Sequence, residues 1–319
     1  MLSDVHEQQE GVRFLRRVVD QQLTSPLLLV GDAGVGRRFS VMQATKEMFC
    51  TGTREDRCPC LDCTQLDQGV HPDYLLIAPD GDKDIGIGAI RSMLEEVGTQ
   101  PTVAAYRIVV IDGADRLTPA AANALLKTLE EPPRLTRFFL LAESQARVIP
   151  TIRSRCGLVS YHALSDSLVL SVLHRNDCDP TKALVYARLS EGSVGRAVHY
   201  YGSGRLALRD KTFSLIRLAL DRDVAGLFSA IDAVEKELPQ ALRFLTPLLH
   251  DLLMVRIDPT RIINLDLSDD LAQVSGRASA AVWQQLEASF RALREQARTT
   301  KIVLGFHVKT LFVQALSGS

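Results

Sequence analysis

Short apolar runs and apolar residues at helical spacing take turns along the first 160 residues. Leu27-Leu28-Leu29-Val30 is an unbroken apolar run, the pattern of a buried strand, and it leads straight into the glycine-rich stretch GDAGVGRRF at 31–39. Residues 36–49 then read as a helix, 74–78 as a second strand, and Ile87, Ile90, Leu94 and Val97 as the apolar face of another helix. Residues 107–111 form a third strand candidate. The helix after it has a marked start and stop: Thr118 can cap it, Pro119 suits its first turn, and Pro132-Pro133 ends it. Further strands are expected at 137–142 and 157–161. This alternation predicts a parallel sheet flanked by helices.

Beyond about residue 163 the strand signals fade. Ser165 and Asp179-Pro180 look like helix starts, two or three short helices fill 165–201, and Gly202-Ser203-Gly204 marks a boundary. Spacings such as Leu286, Phe290, Leu293 and Ala297 are helical almost to the end. The expectation is an α/β domain over 1–162, a small helical lid over 163–203 and a helical domain over 204–319. A chain of 319 residues with 46% hydrophobic and 24% charged residues is long enough for two or three cores and has no composition of disorder or of a fibre. No apolar run reaches the length of a membrane span, and the polar start MLSDVHEQQE has no apolar signal region, so a cytoplasmic protein is expected. A net charge of −1 argues against a lone domain that grips nucleic acid by a strongly basic face, and leaves room for a contact shared within a complex.

The glycine stretch supplies Gly31, Gly34 and Gly36 of a phosphate-binding loop, then places Arg37 and Arg38 where a lysine and a metal-binding hydroxyl belong. Arg37 keeps the charge on a bulkier, planar group, and Arg38 cannot ligate a cation. Ile108-Val109-Val110-Ile111-Asp112 has the Walker B form, an apolar strand ending in a carboxylate, but Gly113 stands where a water-polarising glutamate would follow. Lysine, hydroxyl and base are all missing, so hydrolysis at this site is not expected, nor are bound ATP or magnesium. An active ATPase that uses Arg37 in place of lysine is the alternative.

Ser154-Arg155-Cys156 matches the SRC motif of the AAA+ clamp loaders. Residues 121–133, AANALLKTLEEPP, look like their signature helix, and Gly69-Val70-His71-Pro72-Asp73-Tyr74 resembles a segment of the bacterial loader subunits. With its defective glycine loop the chain is most similar to the delta-prime family of the bacterial DNA polymerase III clamp loader, with specific motifs over about residues 1–200. The resemblance implies a RecA-like domain, a lid and an oligomerising collar. It also implies that the gamma/tau motor and delta subunits, the sliding clamp and primed DNA are partners. Arg155 would then complete a neighbour's ATP site, and Arg196, in Glu191-Gly-Ser-Val-Gly-Arg196, would hold the sensor-2 position in a structural role. Sensor 1 falls at Glu143 or Ser144. An unrelated regulatory or zinc-dependent DNA-binding protein on the same scaffold is a third reading.

Cys50, Cys58, Cys60 and Cys63 give C-x7-C-x-C-x2-C in a loop-like stretch, a module expected over about residues 50–66. Four thiolates suit a closed tetrahedral structural zinc, with free thiols or a disulfide as alternatives. The resemblance implies zinc as well, although the family usually places two residues between its second and third cysteines, where Pro59 here stands alone. A loader grips DNA through phosphate contacts spread over its subunits, and Arg91 and Lys127 are the positions here to test.

Overall fold

The computed structural model describes residues 1–53, 58–299 and 302–317, so residues 54–57 of the expected cysteine module lie outside the described residues. The chain divides into two compact units, one of Met1–Leu168 with Gly192–Gly195, the other of Val169–Glu191 with Arg196–Ser319.

In the first unit, α1 (Gln9–Val19), β1 (Leu27–Val30), α2 (Arg37–Phe49), α3 (Leu61–Gln68), β2 (Tyr74–Ile77) and α4 (Ile87–Val97) precede β3 (Arg107–Asp112). Then come α5 (Pro119–Glu130), β4 (Thr136–Ala142), α6 (Pro150–Arg153) and β5 (Gly157–Ser160). The five strands are ordered β2-β3-β4-β1-β5 and all pair in parallel, with Leu27 opposite Phe139 on one side and Gly157 on the other. Their apolar runs are continuous because both faces are covered. Leu27, Leu29, Ile108, Val110, Phe139 and Leu141 pack with Leu15 and Val18 of α1 and Val41 and Ala44 of α2. The alternate residues Leu28, Val109, Ile111, Phe138 and Leu140 pack with Ile90 and Met93 of α4 and Leu125 and Leu129 of α5. Thr118 caps α5 as expected, its side chain accepting from the Ala121 N–H.

The loop that leads into β3 is held from inside by Asp73. This fully buried carboxylate accepts the N–H groups of Thr102, Val103 and Ala104 at 2.7, 2.8 and 2.9 Å, and Arg107 Nη2 lies 3.4 Å away. His71 stands beside it with Nδ1 accepting from the Asp73 N–H, which directs its Nε2 toward Asp62 at 3.5 Å.

The second unit is helical. Helix α7 (Asp166–Arg175) crosses into it and is followed by α8 (Pro180–Leu189), α9 (Val194–Ser203) and α10 (Leu206–Leu220). The remainder is α11 (Val224–Ala233), α12 (Leu238–Ile257), α13 (Ser268–Ser275), α14 (Ala280–Thr299) and α15 (Leu304–Ser317). Asp179 caps α8, and α9 runs on through Gly202 to Ser203, whose hydroxyl bonds back to His199 O at 2.6 Å. The turn falls at Gly204, which takes φ 62°, a left-handed conformation open to glycine. Two charged groups buried here are paired: Asp251 accepts from Ile263 N, from Asn264 N and from Asn264 Nδ2, and Arg209 meets Asp266 through two 2.8 Å bonds. No helix among the described residues is long and apolar enough to cross a membrane.

Candidate functional site

The glycine loop between β1 and α2 has the strand-to-helix form that the sequence predicted, with Gly34 at φ 78° and Gly36 at φ 100° as the N-cap of α2. Its carbonyls are taken in turn by the chain itself. Ala33 O accepts from Ser193 Oγ at 2.7 Å, Gly34 O from the Gly195 N–H at 3.1 Å, Val35 O from Gln8 Nε2 at 3.2 Å, and Gly36 O from the Ser40 N–H at 2.8 Å. Gly34 and Gly195 touch so closely that a Cβ on Gly195 would stand 2.9 Å from Gly34 Cα, so both positions need glycine. Nothing in the local pattern around 31–36 announces Ser193, Gly195 or Gln8 as its anchors.

The two arginines of the loop part ways. Arg37 is 8% exposed and its Nη1 has no hydrogen-bond partner among the described residues. Tyr161 senses its charge, although burial dominates and pushes that phenol up to about 12. Arg38 is exposed and turns to Asp112, Nη1 to Oδ2 3.9 Å, so a guanidinium faces the carboxylate that a metal-dependent site reserves for magnesium. Behind it Gly113 takes φ 107°, and a Cβ there would meet Pro79 Cγ at 3.0 Å. The missing base is thus a turn that glycine suits, opening the short helical turn at Ala114–Arg116. Past β4, the Ser144 N–H donates to Asp115 at 3.3 Å and Arg147 pairs with the same oxygen at 2.6 Å, a carboxylate that sequence reasoning passed over.

Ser154, Arg155 and Cys156 follow α6. Ser154 Oγ donates to Thr151 O at 3.1 Å, and Cys156 packs against the sheet core, where burial pushes its thiol up to about 12. Arg155 remains partly exposed, with Nη1 2.9 Å from Thr151 O and Nη2 3.2 Å from Glu130 Oε1 at the end of α5. Arg196 is engaged by Ser190 O at 2.8 Å and Glu191 Oε2 at 3.1 Å, while Glu191 also receives both Nη groups of Arg294, at 2.7 and 2.6 Å. Burial would raise the Glu191 carboxyl, but the hydrogen bond and charge of Arg294, with Arg196 and Arg243, hold it below the ordinary range. Arg91 on α4 and Lys127 on α5 are both exposed, on helices that share one apolar core.

The four cysteines of the module come together with all their sulfurs within 4.8 Å of one another. Tetrahedral S4 ligation at about 2.3 Å implies sulfur separations of roughly 3.8 Å. The 3.6 Å between Cys50 and Cys58 and the 4.0 Å between Cys60 and Cys50 bracket that value, so the tight Cys58-Pro59-Cys60 step does not keep the sulfurs apart. Backbone N–H groups of Cys63 and Cys60 hold the thiols of Cys60, at about 6, and of Cys58 below their ordinary values, while burial pushes Cys63 up. Donor set and spacing fit a metal ion with no open position.

Residues 7–165 match the family model described as "DNA polymerase III, delta subunit". Among curated relatives, the DNA polymerase III subunit delta-prime of Escherichia coli (strain K12) is 31% identical over 275 residues, which cover 85% of this chain and 82% of that protein. The delta-prime subunit of Yersinia pestis is 29% identical, covering 94% of this chain and 92% of its own length. A gamma subunit-related protein of Thermotoga maritima, known from its crystal structure, superposes with a TM-score of 0.50 at 17% identity, covering 96% of this chain and 98% of its own, a likeness of fold alone. The sheet order, the loop motifs and the extent of these matches place the chain: it belongs to the delta-prime subunit family of DNA polymerase III.

Proposed function

We propose that this chain is a clamp-loader subunit that hydrolyses no ATP itself and lends Arg155 to the ATP site of a neighbouring subunit. The observation that carries this reading is the Arg38–Asp112 pair: a guanidinium lies 3.9 Å from the carboxylate that metal-dependent phosphoryl transfer needs for its cation, with glycine in place of the base. Arg155, by contrast, stands outside this site on a partly exposed turn, and a guanidinium offered across a subunit boundary can neutralise charge developing on ATP. Its partners are the other loader subunits, gamma/tau and delta, with the clamp and primed DNA met in the cytoplasm by the assembled complex. Arg91 and Lys127 contribute phosphate contacts, Arg196 serves its own lid segment, and residues 1–162, 163–203 and 204–319 act as ATPase-fold domain, lid and collar.

The test is ATP turnover by the complex reconstituted with DNA polymerase III gamma and delta subunits, clamp and primed DNA. Arg155→Ala lowers it and Arg37→Ala leaves it nearly unchanged; the opposite ranking overturns the reading. The Arg37 arm also serves the rival, an active ATPase, which the buried and unpartnered Arg37 Nη1 favours.

The cysteine cluster holds structural zinc in this reading, fixing the segment between α2 and β2. Native mass spectrometry is expected to show one zinc per chain, absent from Cys63→Ser. Chelation should lower the melting temperature by roughly 4–12 °C, about 2–3 kcal/mol at roughly 2–4 °C per kcal/mol. A metal-free wild type with an unchanged melting curve would remove zinc from the account.

A further inference from the structure

Arg155 is not held out as a bare cation. Its Nη1 donates to Thr151 O at 2.9 Å, its Nη2 lies 3.2 Å from Glu130 Oε1, and its Nε is buried with no acceptor among the described residues. Both terminal nitrogens of the guanidinium are therefore directed at groups of its own chain. A phosphate would be bound through those same N–H groups, because the fork is rigid and the Nε edge is closed off. Carboxylate and phosphate draw on the same two terminal nitrogens and the same positive charge, so each weakens the hold of the other.

The helix that carries the competitor is firmly placed. Glu130 ends α5 and Thr151 lies in α6, and the two helices share a core through Leu125, Leu129 and Ile152. The Glu130 side chain is 59% exposed and that of Arg155 28%, so the pair is wet, weak and screened by salt. An ion pair of this kind cannot do much for the fold, yet its strength suits a restraint that a phosphate group displaces.

We propose that Glu130 is a positioning residue that parks Arg155 on its own subunit, and that the arginine engages a neighbour's ATP by exchanging this carboxylate for phosphate oxygens. The inference rests on the trans role of Arg155 proposed above. It assigns Glu130 a direction of effect: removing its charge frees the arginine and raises turnover, whereas a carboxylate that aimed Arg155 productively would lower turnover when neutralised.

The experiment measures kcat and KM for ATP in the reconstituted complex, with and without primed DNA, for wild type, Glu130→Gln, Glu130→Asp, Arg155→Ala and the double variant Glu130→Gln/Arg155→Ala. Glu130→Gln is expected to raise turnover without DNA by about two- to five-fold, the range open to an exposed ion pair. The gain should shrink at high salt, where the wild-type pair is already screened. Glu130→Asp, which keeps the charge, should stay near wild type, and the double variant should match Arg155→Ala. If Arg155→Ala leaves turnover untouched, the trans-arginine reading fails and takes this inference with it. If Arg155→Ala lowers turnover but Glu130→Gln sits at or below wild type, or its gain persists unchanged in high salt, only the parking of Arg155 is overturned.

Discussion

On the trans role proposed above, Arg155→Ala is expected to slow one ATP site of the complex by roughly three orders of magnitude, the lower end of what a trans arginine contributes to phosphoryl transfer. The fold should hardly notice: the side chain leaves a carbonyl bond to Thr151, a long contact to Ser154 Oγ and one exposed ion pair to Glu130, together worth on the order of 1–2 kcal/mol. In a complex with several ATP sites the loss is best read in a single-turnover experiment, as the disappearance of one site's share of the fast phase. Arg155→Lys should rescue only in part, because an ammonium keeps the charge and loses the planar fork. A fast phase of full amplitude in Arg155→Ala complexes, with assembly confirmed by co-elution, would exclude the role. Arg37→Ala is the matched control, since that arginine belongs to the glycine loop and is buried there.

Asp73→Ala is expected to be the most damaging single substitution in the first unit, costing about 3–5 kcal/mol. It would strip three backbone N–H groups of their acceptor and leave the Arg107 guanidinium facing no carboxylate. The lost melting temperature would be roughly 6–20 °C at 2–4 °C per kcal/mol. The same carboxylate makes stability pH-dependent. Burial alone would raise its pKa, but the N–H groups of Ala104, Val103 and Thr102, with Arg107, outweigh burial and hold it below the ordinary value. The folded state therefore binds this proton less readily than the unfolded chain. Its contribution is complete above the unfolded value of about 3.9 and is lost as pH falls from there through the folded value. In urea titrations the wild type should lose stability over that acid range, and Asp73→Asn should show a flatter dependence. Equal slopes for the two would remove Asp73 as the source.

The sheet was legible in the sequence because each strand is an apolar run short enough to be read locally, and because Thr118, Pro119 and Pro132 punctuate α5 at its two ends. The glycine loop was legible for the same reason: its turn is specified where it occurs. The anchors of that loop were not. Ser193 and Ala33 are 160 positions apart, and a serine gives no local sign that its hydroxyl will close on a distant carbonyl. Asp73 was visible as part of a motif, but its three N–H partners lie 29 to 31 residues on, in a stretch without periodicity. For the cysteines, spacing alone raised a doubt that the backbone resolves: Cys58 and Cys60 flank a proline, yet their sulfurs reach the same small volume as those of Cys50 and Cys63. Glu130 lay within a recognised helix motif, and only the turn after α6 shows what it faces.

The segment Gly192–Gly195 gives the first unit a property that matters to anyone who cuts the chain. That unit is not a prefix of the sequence: four residues from far downstream belong to it and satisfy the carbonyls of Ala33 and Gly34. A fragment ending at Leu168 would take the five strands and leave two loop carbonyls to water. Gene splitting, domain exchange or circular permutation of this protein has to carry the downstream tetrapeptide with the sheet, or rebuild the loop without it.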